Sequence, residues 1–215
     1  MLPAVALGLF LETPMPPDTL ARASPPTYRA DPIEENPIPR PSEAAIAAAI
    51  AQGIAGDGHG TVILGRTGPG QYRIAVSGPL GRIRTAAAQA ARQRKPFSRA
   101  DVTEEMSRPL LAIAADPSPP ARRAGRLVIA PRADEVVLRP GGVRTPRRAV
   151  RAESMVRKAR DWSALGVKSE GTELLALFPM PVLRALPPGD IEVVLVTDAG
   201  ELRYTLPEAR RKSID

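Results

Sequence analysis

A chain of 215 residues, 43% of them hydrophobic, is long enough to bury the core of one or two domains, yet aromatic residues make up only 3% of it. That core therefore has to be built from Ala, Val, Leu and Ile. There is no cysteine, which excludes disulfides, thiolate zinc sites, cysteine nucleophiles and iron–sulfur clusters. The formal net charge of +7 admits an anionic partner such as nucleic acid, an acidic membrane surface or an acidic protein. Lysine occurs only at Lys95, Lys158, Lys168 and Lys212 against abundant Arg and Ala, and a GC-rich genome yields that bias without any binding role.

The chain starts with an apolar stretch, Met1 to Leu11, that resembles the hydrophobic part of an export signal but has no basic residues before it. Export to an extracytoplasmic compartment and a cytoplasmic location both remain open. No stretch reaches the roughly 20 apolar residues of a membrane-spanning helix. From Thr13 to Pro41 prolines recur, fixing φ and pushing their predecessors to extended conformations. Residues 1–41 are thus expected to be an apolar leader and an extended arm, a tether or a strip laid across a protein partner.

Residues 42–107 are expected to form a small α+β unit, helix–hairpin–helix in order. Ser42 is a good N-cap for a helix whose Ile46, Ile50 and Ile54 fall on one stripe and which Gly56 stops. The loop Gly56-Asp57-Gly58-His59-Gly60 precedes a strand. Phosphate-binding glycine loops instead open a helix, so this one reads as a turn. A hairpin follows, with Val62 and Leu64 opposite Tyr72, Ile74 and Val76, turned at Thr67-Gly68-Pro69-Gly70. Gly78-Pro79-Leu80-Gly81 then leads into an Ala-rich helix, Leu80 to Arg94, burying Ile83, Ala87, Ala90 and Ala91. It has the GxxG spacing of KH loops, but those join two helices, whereas a strand precedes this one. Ser98 to Met106 reads as a short capped helix.

Residues 108–207 change texture. Strand signals recur at Leu110, Arg126, Glu135, Leu174, Ile191 and Glu201, the last two joined by the turn Asp198-Ala199-Gly200, with a loop expected from Asp116 to Gly125. Their punctuation by Pro and Gly predicts an Ig-like β-sandwich, so the fold class is α+β and β-rich. Gly142 to Gly166 fits strand and helix periodicities alike, and Trp162 is expected to pack at the sandwich edge. Residues 208–215 read as a frayed basic tail.

No catalytic set can be assembled. A Ser-His-Asp triad would have to use His59, the single histidine, and no serine sits in a GxSxG elbow. Glu34-Glu35 and Glu104-Glu105 are adjacent and diverge rather than converge. No cofactor and no metal site is expected. The sequence thus points to a non-catalytic interaction or scaffold protein, an accessory subunit of a larger bacterial assembly, binding protein partners through its arm and sandwich surface. The alternative is an anion-binding module for nucleic acid or acidic membrane, using Arg82, Arg84, Arg92, Arg94, Lys95, Arg144, Arg147, Arg148 and Arg151.

Overall fold

In the computed structural model, residues 39–56, 60–65, 68–142, 149–162 and 170–214 are described. The leader and arm up to residue 38, His59 with Asp57, and Arg144, Arg147 and Arg148 lie outside them. Helix α1 (Glu43–Ala55) begins where the Ser42 hydroxyl accepts from the Ala45 N–H and ends at Gly56, whose φ of 81° fits a left-handed cap. Strands β1 (Thr61–Leu64) and β2 (Tyr72–Ser77) form the expected hairpin, with Val62 opposite Val76 and Leu64 opposite Ile74. Helix α2 (Pro79–Arg92) follows with proline in its first turn. A 3₁₀ turn (Arg99–Asp101), capped reciprocally by Ser98 and Asp101, and helix α3 (Glu104–Ser107), capped by Thr103, divide the short helix expected there into two pieces.

The next strands are β3 (Leu110–Pro117), β4 (Ala121–Arg123), β5 (Arg126–Val128), β6 (Ala133–Pro140), β7 (Val150–Arg151), β8 (Ser154–Asp161) and β9 (Glu170–Pro179). Helix α4 (Met180–Ala185), β10 (Ile191–Thr197), β11 (Gly200–Leu206) and α5 (Glu208–Arg211) complete the chain. The described strands form one sheet in the order β1-β2-β3-β9-β8, a second in the order β11-β10-β6-β7, and the separate hairpin β4-β5. All pairings are antiparallel. The protein is therefore α+β with antiparallel sheets. The hairpin β1–β2, grouped by sequence with the helices before residue 108, belongs to the same sheet as β3, because β2 pairs with β3 from Tyr72↔Pro117 to Ser77↔Ala112.

The two larger sheets enclose one apolar core, contributed by Val62, Ile74, Leu111, Ile113, Leu174 and Phe178 from the first and Val136, Leu138, Ile191, Val193 and Leu195 from the second. At one edge the chain passes from β7 in the second sheet to β8 in the first, with Ala152 and Glu153 between them. At the other edge Gly65 lies against the ring of Tyr204, where a Cβ would come within 2.7 Å of it. This resolves the ambiguous stretch in favour of a strand over its described part, residues 150–151 and 154–161. The expected loop after Asp116 contains β4, which pairs with β5 because Ala124 and Gly125 both adopt positive φ and close a tight turn.

Two further expectations change. The Ile46/Ile50/Ile54 stripe is buried only in part: Ile46 is buried and Ile50 packs against the same cluster, but Ile54 is 52% exposed, and Ala49 and Gly53 complete the inward face. Gly53 sets that face, because only its missing side chain lets α1 approach α2 at Ala87. The C-terminal residues are fastened rather than frayed. Arg211 donates to the carbonyls of Leu183, Leu186 and Pro187, and Ile214 is buried in the core.

Tyr72 is wholly buried, and its hydroxyl donates to the Pro131 carbonyl at 2.8 Å. Burial pushes its pKa up to about 12. The unfolded chain ionises this phenol near the ordinary value of about 10. Its contribution is thus whole below pH ~10 and is lost as pH climbs from about 10 to about 12, on the order of 2–3 kcal/mol. Tyr72→Phe is expected to cost about 1 kcal/mol at neutral pH, from the lost hydrogen bond, and to flatten that alkaline decline in urea melts measured across the same pH range.

Candidate interaction face

Side chains of a strand alternate between its two faces. In the first sheet the inward set is the core above. The outward set includes one row in which all five strands contribute an apolar residue: Ile63↔Ala75, Ala75↔Ala114, Ala114↔Leu175 and Leu175↔Val156 are successive register partners. Its ends are open, Ile63 at 45% and Val156 at 61% exposure. The next row, Thr61, Ser77, Ala112, Leu177 and Ser154, carries small residues and one leucine. The centre of the face is thus low in relief, lined by Ala75, Ala114 and Ser77, with Leu175, Leu177 and Val156 rising on one side.

A polar border runs along the other side of the row. Arg73 is the register partner of Asp116, and Lys158 that of Glu173. Arg160 pairs with both Asp116 and Glu173, the latter at 3.1 Å, and stacks over the buried Trp162 ring at 5.4 Å from its centroid. Trp162 therefore packs at the sheet edge as the sequence suggested. Beside it, Gly68, Pro69, Arg73, Pro117, Ser118 and Pro119 line an open groove of ≈ 510 Å³. Arg160 is held by two carboxylates there. Among the described residues no three His, Cys, Asp or Glu side chains gather to hold a metal ion.

The outer face of the second sheet makes an instructive contrast. It too has an aliphatic centre, Val137 and Val194, but both are buried. Long charged side chains surround them. Arg139 grips Glu201 with two bonds of 3.0 and 2.7 Å, Glu201 also meets Arg203 at 3.0 Å, and Arg151 pairs with Glu135 at 3.3 Å. The Arg139 guanidinium holds the Glu201 carboxyl below the usual carboxylate range. This sheet is covered by its own side chains, whereas among the described residues the apolar row of the first sheet carries no charged side chain.

Of the basic residues singled out by sequence, Arg144, Arg147 and Arg148 lie outside the described residues, and the described ones do not form one patch. Arg82 turns inward and donates to the carbonyls of Glu105, Met106, Arg108 and Leu110. Arg84 is half-buried beside Gly60, its Nε enclosed and without a hydrogen-bond partner among the described residues. Arg151 sits on the second sheet, paired with Glu135. Arg92, Arg94 and Lys95 remain together and exposed at the C-terminal end of α2, where cations suit the helix dipole. No described helix is long and apolar enough to cross a membrane. The apolar row escaped sequence reading, although β3 and β9 carry its signal: Leu110, Ala112 and Ala114 alternate with Leu111, Ile113 and Ala115, so the strand is apolar in both phases.

Comparison with known proteins returns no match to a family model, a curated protein or a solved structure.

Proposed function

We propose that this is a non-catalytic interaction protein, an accessory subunit of a larger bacterial assembly, that binds a protein partner through the outer face of its first sheet. The observation that carries the reading is the uninterrupted apolar row Ile63-Ala75-Ala114-Leu175-Val156, open at both ends. An apolar patch with a polar rim is how soluble proteins mark a partner site. Its small central residues allow a helix or a second sheet to approach closely. The reading of the β region as an Ig-like sandwich belongs to the same proposal; two antiparallel sheets around one core support it. A second reading, an anion-binding module, is favoured by Arg92, Arg94 and Lys95, which have no carboxylate within ion-pair distance among the described residues.

Isolated under native conditions, the full chain is expected to copurify with one protein in fixed stoichiometry. The double substitution Ile63→Asp with Val156→Asp should leave thermal unfolding nearly unchanged, since both side chains are exposed, and weaken that complex at least about tenfold. A stable monomer that recruits nothing, or a complex indifferent to both substitutions, would count against the proposal.

A further inference from the structure

We infer that the hairpin β4–β5 is a phosphodiester-binding element that engages the backbone of a nucleic acid duplex. This site is separate from the apolar face of the first sheet and does not depend on it. The hairpin belongs to neither large sheet. Its base is mounted firmly: Val128 packs on Gly70 so closely that a Cβ there would lie 2.9 Å from it, and Ala130 is buried in the core just beyond. Its tip projects with Arg122, Arg123 and Arg126 exposed. Ala124 at φ 48° and Gly125 at φ 77° close the tip in the two-residue turn whose twist matches that of a β-ribbon.

The charges on this tip, like those of Arg92, Arg94 and Lys95 at the end of α2, meet no carboxylate among the described residues, whereas many arginines elsewhere do. Arg99, Arg132, Arg139, Arg151, Arg160 and Arg203 each meet a carboxylate. Among the described residues none lies within ion-pair distance of Arg122, Arg123 or Arg126. Arg123 and Arg126 are moreover direct cross-strand partners. Like charges placed opposite each other destabilise a ribbon, and an anion between them removes that repulsion. Arg122 pairs with Leu127, one register step away and hence on the opposite face. Cations therefore project from both faces of one ribbon.

That two-sided arrangement selects the partner. A flat membrane or a protein surface meets one face of a ribbon. A duplex groove presents phosphate rows on both sides of whatever enters it, and the major groove, about 12 Å wide, admits a two-stranded ribbon. The guanidinium fork suits phosphate oxygens. Leu127, 45% exposed, is a single apolar residue here, too little for membrane insertion.

The test uses the full chain and a short fluorescent DNA duplex of mixed sequence, with binding read by anisotropy over a salt series. Arg123→Ser with Arg126→Ser is expected to weaken binding at least about tenfold and to make the slope of log K against log salt shallower by about 2. Arg123→Lys with Arg126→Lys should retain most of the affinity. Arg92→Ser with Arg94→Ser removes the same charge elsewhere and should change little. The inference is overturned if the duplex is not bound at low salt, if the two serine pairs lose affinity equally, or if vesicles rich in phosphatidylserine are bound and the duplex is not.

Discussion

Arg82→Ala is expected to destabilise the protein by about 3 kcal/mol, read as a lower urea midpoint with an unchanged slope. The reason lies in the carbonyls that this guanidinium collects. Helix α3 has four residues, Glu104–Ser107, too few to satisfy its own last carbonyls. Arg82 reaches across from the first turn of α2 and donates to Leu110 at 2.6 Å, Arg108 at 2.7 Å, Met106 at 3.1 Å and Glu105 at 3.4 Å. It thereby ties α2, α3 and the start of β3 at one point. Burial pushes its pKa down from the usual arginine value, the mark of a charge taken partly out of water, and its Nε is enclosed without a partner among the described residues. Truncation leaves several carbonyls without a donor. Arg82→Lys should recover less than half of the loss, because an ammonium is a point donor and cannot span the same set. A loss below about 0.5 kcal/mol on Arg82→Ala, the range of ordinary surface substitutions, would mean that this residue is as free as its sequence neighbourhood suggested.

That residue also shows where sequence reading stops. Periodicity made the secondary structure legible. Tyr72, Ile74 and Val76 alternate and are all fully buried, and their partners Val62 and Leu64 follow in register. Capping chemistry placed the ends of α1 at Ser42 and Gly56. Both signals are local, fixed by a few neighbouring residues. The direction of a long basic side chain is not local: Arg82 and Arg92 sit on the same Ala-rich helix, yet one is consumed by carbonyls more than twenty positions away and the other faces solvent. The β4 strand was hidden for a related reason. Its neighbourhood is dominated by Pro117, Pro119 and Pro120, which read as a loop, and only the pairing of Arg122 with Leu127 reveals the ribbon. The apolar face was hidden because each of its five residues is unremarkable alone; register brings them into line, and register is a property of the assembled sheet.

Gly81→Ala is expected to destabilise by about 2–3 kcal/mol, and the sign carries the argument. Gly81 lies inside α2, where alanine is the better helix former by about 1 kcal/mol. If propensity governed the position, the substitution would stabilise. The backbone of Gly60, just before β1, prevents that: a Cβ on Gly81 would fall on the Gly60 carbonyl, 2.8 Å from its carbon, and a Cβ on Gly60 would lie 2.5 Å from the Gly81 Cα. Neither obstacle is a flexible side chain that could swing aside, so helix and strand would have to separate. Separation would also strain the neighbouring bond between the Thr61 and Thr85 hydroxyls, 3.0 Å apart, and the seam one turn further on, where a Cβ on Gly53 would meet the Arg84 carbonyl at 2.5 Å. Of the glycines in the two loops weighed as anion sites, Gly60 and Gly81 thus serve close packing against each other, as Gly53 does between α1 and α2. A urea midpoint that rises on Gly81→Ala would show that helix and strand are not in backbone contact, and would remove the physical basis for the elbow between hairpin and helix.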